Sequence, residues 1–312
     1  MNDISLITRK LRGALRTAVG RNKADALLLA GLDSSILALF APLKAFTIKL
    51  ESYGEDANYA QVVAQSLGMP HEVLVVSIDE TFEIIPEVIS ILRTYDLHLP
   101  NHVAALAALK LAKEKGLKTL MTGDGGDELF AGYSYMLKMD GLDVYIRQLA
   151  KRMHFVAGEL AHYLGMELSQ PYLDQDFVKL ALDIKPELKV VTEKGITWGK
   201  WILRKAFENA LPSDIIWQYK RPFERGSGFS KLREIVNSKI PDAEFERKRK
   251  RYPVKFYNKE HLFYYEIYNR IFGEIPPPRL GEKACQGCGG GLPIGATYCR
   301  RCGWTQDKEV KW

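Results

Sequence analysis

Two short segments of this 312-residue chain combine glycine, carboxylate and hydroxyl groups in a pattern suited to phosphate chemistry. One is Thr122-Gly-Asp-Gly-Gly-Asp-Glu-Leu-Phe-Ala-Gly-Tyr133, and the other is Leu27-Leu-Leu-Ala-Gly-Leu-Asp-Ser-Ser-Ile36. Each follows a mostly apolar run, 26–30 or 117–121, that reads as a buried parallel strand. Each then breaks at glycine and presents a carboxylate where the C-terminal edge of a parallel sheet would lie, the edge at which open α/β sheets bind ligands. Glycine lets a backbone approach an anion, a following helix offers free N–H groups, and Asp33 and Asp127 could share a magnesium ion. Both aspartates also precede helical patterns and could serve as caps. No Gly-Lys-Ser/Thr triplet follows either glycine run, so neither is a Walker A loop.

These residues resemble known signatures. Ala30-Gly-Leu-Asp-Ser-Ser35 is similar to the pyrophosphate-binding loop of ATP pyrophosphatases, usually Ser-Gly-Gly-x-Asp-Ser. The segment 122–133 resembles the second signature of the synthetase domain of asparagine synthetases and β-lactam synthetases. Pro171-Tyr-Leu-Asp174, Lys200-Trp-Ile-Leu-Arg-Lys-Ala206, Leu211-Pro212 and Tyr219-Lys-Arg-Pro-Phe-Glu-Arg-Gly-Ser-Gly228 follow in the order of that family. The resemblance spans roughly residues 3–235. It implies ATP as substrate, a magnesium ion, and activation of an acyl oxygen at the α-phosphorus before transfer to a nitrogen nucleophile.

Site roles follow from the resemblance. The backbone of Gly31 and Leu32, with the Ser34 and Ser35 hydroxyls, would grip the β- and γ-phosphates. Asp33 and Asp127 would ligate magnesium, and Lys220 would lie against the α-phosphate unless it is an ordinary surface lysine. Gly226, Ser227 and Gly228 would close over pyrophosphate. Lys200 and Arg204, four apart, would point the same way toward phosphate, with a structural salt bridge the alternative for Arg204. Adenine would rest near Thr47 and Ile48 and the backbone of Thr122 and Gly123. Asp124 stands where asparagine synthetases carry a glutamate, which makes it the candidate general base or amine-orienting group. Leu29 and Ala30 replace the usual serine and glycine; a left-handed backbone at Ala30 would cost ~1–2 kcal/mol. With the synthetase-like region starting near Met1, no glutaminase domain of the family's kind is expected in this chain. The nitrogen would then come from ammonia, an amine on the substrate, a carrier, or a separate glutaminase subunit.

The elements that must position these residues alternate along the first part of the chain. A helix is expected over 4–19, ending at Gly20. Strands are expected at 25–30, 44–50, 72–76 and 117–122, with helices at 33–40, 56–67, 79–93 and 101–115, which together predict a doubly wound parallel sheet. The resemblance implies the same fold, that of the adenine nucleotide alpha hydrolases. The sheet core should cover about 20–128, and residues 129–272 should form a mainly helical lobe, completing one unit over 1–272. The proline-rich stretch 273–281 reads as a semi-rigid linker.

After it, Cys285, Cys288, Cys299 and Cys302 form two Cys-x-x-Cys pairs in a unit over 282–312. Each pair has a glycine just behind it, the arrangement of a zinc ribbon with a closed, structural tetrahedral site. Disulfides and redox-active pairs are the alternatives, opposed by an intracellular setting and by the lack of a surrounding βαβ pattern.

Composition bounds the remainder. With 46% hydrophobic and 26% charged residues the chain has the make-up of a globular protein. The first ten residues lack the apolar segment of a secretion signal, and no apolar run is long enough to span a bilayer, so a cytoplasmic location without membrane contact is expected. A net charge of +6 is too small to imply nucleic acid by itself. The run Glu246–Arg251 is a solvated face or, alternatively, an RNA contact. The reading that results is an AMP-forming, ATP-dependent ligase. The alternatives are an RNA-modifying ATP pyrophosphatase and a non-catalytic nucleotide-binding scaffold.

Overall fold

The computed structural model describes residues 4–41 and 43–306. The ends of the two expected units, residues 1–3 and 307–312, lie outside the described residues. Helix α1 (Ile4–Arg21) leads into a run of β1 (Ala26–Leu28), α2 (Leu32–Ala38), β2 (Lys44–Leu50), α3 (Asp56–Leu67) and β3 (His71–Val76). Helices α4 (Ile78–Leu92) and α5 (Leu99–Glu114) then carry the chain to β4 (Thr119–Met121) and α6 (Gly126–Phe130).

Strand order is β3-β2-β1-β4 with a fifth strand, β5 (Glu167–Ser169), beyond β4; every pairing in this sheet is parallel. The connections therefore run outward from β1 to β3 and then cross to β4, which places the topological switch between β1 and β4. That crevice is where the two glycine-rich segments emerge. The doubly wound sheet is as expected, but β5 was missed within a region expected to be mainly helical. Three residues are too few to show alternation, and Leu168 is the only apolar member of β5.

Side chains alternate across the sheet and divide the core in two. Ala26, Phe46, Ile48 and Leu120 face α4 and α5, whereas Leu27, Leu29, Ala45 and Met121 face α1 and α2. The helices have clear start signals. In α4 the Ser77 hydroxyl accepts from Glu80 N while Glu80 returns to Ser77 N, a capping box.

The remaining lobe comprises α7 (Leu142–Ala150), α8 (Val156–Tyr163), α9 (Gln175–Asp183), α10 (Pro186–Lys189), the hairpin β6 (Val191–Glu193) and β7 (Ile196–Trp198), and α11 (Trp201–Phe207). It continues through α12 (Ser213–Ile216), α13 (Phe223–Gly226), α14 (Leu232–Lys239), α15 (Asp242–Arg251) and α16 (Lys259–Phe272), followed by the hairpin β8 (Glu282–Ala284) and β9 (Gly291–Pro293). No described helix is long and apolar enough to cross a membrane.

The proline-rich stretch does not leave the cysteine-bearing unit apart from the body. Tyr95 N donates to Arg301 O at 2.8 Å, Lys255 N donates to Gly287 O at 2.8 Å, and all four cysteines belong to the core cluster that holds α4, α5 and α16.

Lys189 is a cost the lobe carries. Its side chain is 1% exposed, and the Phe130 ring lies 5.9 Å from its ammonium. Burial pushes its pKa down to about 8. Between that value and the ordinary lysine value near ~10.4 the unfolded chain binds the extra proton, so this group makes stability rise with pH there. Lys189→Met should raise stability at pH 7 by about 1–3 kcal/mol, with the gap closing by about pH 10.5. Urea melts across that range check the sign.

Candidate functional site

The loops after β1 and β4 bring Asp33 and Asp127 to one ammonium group. Lys200 Nζ bonds Asp33 Oδ2 and lies 2.6 Å from Asp127 Oδ1, while Lys220 Nζ donates to Asp127 Oδ2 at 2.6 Å. Lys200 is 3% exposed, so it is a fixed counter-charge. Lys220, at 34%, is more open to solvent. Burial opposes ionisation of Asp127, but the two lysines hold its carboxyl well below the usual carboxylate range. Burial raises the pKa of Asp33 despite Lys200. Burial likewise works against the Lys220 ammonium, and Asp127 more than offsets it, leaving the group above its ordinary value.

The local backbone is shaped around this cluster. Helix α6 ends at Ala131 with φ 57°, and Lys200 has φ 58°, a left-handed conformation that costs a non-glycine residue ~1–2 kcal/mol. Lys200 N donates to Phe130 O at 2.8 Å, tying the start of α11 to the end of α6. Glycine is required at 132, where a Cβ would strike the Asp127 carboxylate and come within 2.5 Å of Lys200 Cε. At Gly126 a Cβ would sit 2.5 Å from Asp33 Oδ1. Tyr172, from the Pro171–Asp174 motif, donates its hydroxyl to Asp33 O at 3.1 Å.

The two carboxylates fit a divalent cation. Asp33 Oδ1 is buried without a hydrogen-bond partner among the described residues, and the Lys200 ammonium bridges both side chains as a cation would.

Asp124 lies beside the cluster. Its Oδ2 accepts from Thr122 Oγ1 at 2.6 Å and from Gln170 Nε2 at 2.8 Å. Burial raises its pKa against those two bonds. Gln170 was not singled out from the sequence. The signal was available in its position directly before the Pro171 motif, had β5 been recognised.

The third part is a clamp from the β2–α3 loop. Leu50 N donates to Ser227 O and Glu55 N to Gly226 O, both at 2.9 Å. Gly54 (φ 88°) and Gly228 (φ 89°) pack backbone to backbone; a Cβ on Gly54 would lie 2.5 Å from Ser227 C. Asp56, buried beside Gly226, bonds Arg221 Nη2 at 3.3 Å, and Arg221 stacks over Tyr59 at 4.2 Å. Sequence reading missed Asp56, because nothing in its spacing ties it to residues 165 positions later.

Several predicted residues are placed otherwise than expected. Arg204 does not follow Lys200 into the cluster. Its guanidinium donates to the carbonyls of Gly199, Ile216 and Gln218 and packs 5.2 Å from the Trp198 ring, so it fastens the segment leading to Lys220. The reason is the left-handed turn at Lys200, which takes that residue out of the helical register of α11. Burial lowers the Arg204 pKa to about 10.

Ala30 carries no strain, since it is absent from the described non-glycine residues with positive φ. Its N–H donates to Ser34 Oγ, while the Ser34 and Ser35 hydroxyls donate to Gly31 O. The loop thus binds itself, with Gly31 unobstructed and Leu32 opening α2. Thr47 and Ile48 lie within β2, which continues to Leu50. They border the crevice because β1 stops at Leu28, opposite Phe46. Gly123 packs against Asp33 Cβ and Ser34 N, fixing the two loops to each other. Ser227 Oγ is committed to Phe223 O at 2.7 Å.

At the other end of the chain the sulfurs of Cys285 and Cys302 are 3.7 Å apart and those of Cys288 and Cys299 4.0 Å apart. All four lie within 4.8 Å of one another and are buried. A tetrahedron with bonds of ~2.3 Å has edges of ~3.8 Å, so the set fits a zinc-sized thiophilic ion.

The family model described as asparagine synthase matches residues 8–153 and 144–275. Asparagine synthetase B (glutamine-hydrolyzing) of Escherichia coli strain K12 is 30% identical over 293 residues, covering 82% of this chain and 51% of that protein. The nodule asparagine synthetase (glutamine-hydrolyzing) of Pisum sativum is 27% identical over 277 residues, covering 79% and 47%. The chain spans about half the length of the curated relatives it matches. Among solved structures, a U34-tRNA thiolase from Methanococcus maripaludis covers 86% of this chain and 81% of its own at 14% identity; its TM-score of 0.34 is too low to carry an argument.

Replacing Lys200 would leave two buried carboxylates facing each other. Lys200→Met should cost about 3–5 kcal/mol in urea unfolding, part of it recovered by millimolar magnesium. Unchanged stability would show that the lysine does not hold the pair.

Proposed function

The chain belongs to the asparagine synthase family, and on that premise we propose that it is an AMP-forming, ATP-dependent carbon–nitrogen ligase. The observation that carries this reading is the meeting of Asp33 and Asp127 at Lys200, with Lys220 paired to Asp127 from the more exposed side. A substrate carboxylate or amide-like oxygen attacks the α-phosphorus of ATP, the bond to the bridging oxygen breaks, and pyrophosphate leaves with that electron pair. A nitrogen nucleophile then displaces AMP from the activated carbon and gives up a proton.

In this reading each group has one task. Asp33 and Asp127 would hold magnesium, which supplies charge neutralisation for the phosphates. Lys200 keeps the two carboxylates together in its absence. Lys220 moves from Asp127 onto the α-phosphate as negative charge builds on it. Asp124, whose carboxyl burial pushes above its ordinary pKa, takes the proton of the incoming nitrogen or orients it. Gly226, Ser227 and Gly228, pinned by Gly54 and Asp56, cover the pyrophosphate. The nitrogen source is ammonia, an amine of the substrate, or the product of a separate glutaminase or carrier subunit. The four cysteines hold a structural zinc ion.

RNA as substrate is a second reading, favoured by α15, which has no buried residue and ends in Lys248-Arg-Lys-Arg251. Pyrophosphate exchange into ATP, followed with a panel of amino acids and separately with bulk tRNA, distinguishes the two. Exchange driven by a small acid is the expected outcome, and AMP formation only with RNA would favour the second reading. Asp127→Asn should lower exchange by at least ~10²-fold, as loss of a ligand to the ion that clamps the reacting phosphates does; turnover at the wild-type rate would remove Asp127 from the site.

A further inference from the structure

The buried polar atoms without a hydrogen-bond partner among the described residues include Tyr95 Oη, His261 Nε2 and Arg301 Nη1, all away from the acidic site. All three surround the cysteine cluster. The Tyr95 hydroxyl and the Arg301 guanidinium lie beside the Cys288 sulfur, and His261 turns toward the Cys302 backbone. Tyr95 and His261 are each 0% exposed, and their rings stack with centroids 5.2 Å apart. Tyr257 N donates to His261 Nδ1, so the proton of the neutral ring is on Nε2, the side facing the cysteines.

Donors left unpaired in a dry core are expensive, at about 1–3 kcal/mol each. A thiol is a weak acceptor and does not relieve that cost. Four thiolates around a divalent ion carry a net charge of −2 and are good acceptors on every sulfur. Ligands of metal sites are commonly held by such outer donors, which fix their orientation.

Two of the three donors do not belong to the cysteine-bearing unit. Tyr95 comes from the turn between α4 and α5, and His261 comes from α16. The same turn is bonded to the second Cys-x-x-Cys pair: Tyr95 N to Arg301 O at 2.8 Å and Thr94 Oγ1 to Arg300 O at 2.7 Å. Tyr298 donates its hydroxyl to Asp96 Oδ2 at 2.6 Å.

The geometry points to a zinc–thiolate centre whose outer hydrogen-bond donors are supplied by the synthetase body, so that the metal staples the C-terminal hairpin unit to the 94–98 turn. This rests on the reading of the four cysteines as a zinc site and deepens it. The ion is part of the main core rather than the support of an independent module. Tyr95 is a positioning residue for Cys288, acting on the metal through that sulfur.

Two measurements on the full chain test the proposal. The protein should purify with one zinc per chain. Tyr95→Phe, which removes only the hydroxyl, should weaken zinc retention against the chelator 4-(2-pyridylazo)resorcinol by about 10–100-fold. Stripping zinc from the wild-type chain should speed amide exchange at 94–98 and 257–265 as well as within 282–306. Absence of zinc, wild-type retention in Tyr95→Phe, or faster exchange confined to 282–306 would each overturn the staple. Should the variant fail to fold, the wild-type exchange experiment decides alone. Both readouts follow metal and amides rather than turnover, so they stand or fall separately from the ligase assignment.

Discussion

The structure depends on keeping two carboxylates together inside a protein. Asp33 and Asp127 arrive after different strands, with two β-strands and four helices between β1 and β4. Burying two like charges costs several kcal/mol unless an opposite charge is held between them. Lys200 meets that demand only because its backbone takes a left-handed turn and the chain has no Cβ at 132. The strained residues Ala131 and Lys200 flank the cluster they serve, the usual location for stored backbone strain. Lys220 completes the charge balance from a more open position, which is what distinguishes a counter-ion that stays from one that can follow a substrate.

The remaining parts hold the approaches to that cluster. The β2–α3 loop fixes the 226–228 backbone through two main-chain bonds and the close approach of Gly54 to Gly228. Arg204 fastens the segment that delivers Lys220, spending its donors on three carbonyls. The cysteine unit is packed on the turn before α5, whose far side contributes to the same core as the sheet. Each device fixes backbone rather than side chain.

Much of this was legible in the residues. Strands β1 to β4 were readable because their apolar runs sit between glycine or proline signals, and the segments that carry Asp33, Asp127 and Lys220 because their motifs are local. The cysteine set was readable from spacing alone. Strand β5 was not, being three residues long with one apolar side chain, and Gln170 was lost with it. Arg204 misled because a spacing of four implies a shared helical face only when both residues are helical, and Lys200 is not. Asp56 and Tyr95 were invisible for a different reason. Their partners are fixed by tertiary approach, which no local pattern encodes.

The central claim is that Asp33 and Asp127 together form the cation seat of a triphosphate site. Manganese, bound in place of magnesium with α,β-methylene-ATP and counted by electron paramagnetic resonance, tests it directly. Wild-type protein should retain one manganese per chain with the nucleotide, and Asp33→Asn and Asp127→Asn should each lose it at the same concentrations. Equal retention by wild type and both variants would contradict the account.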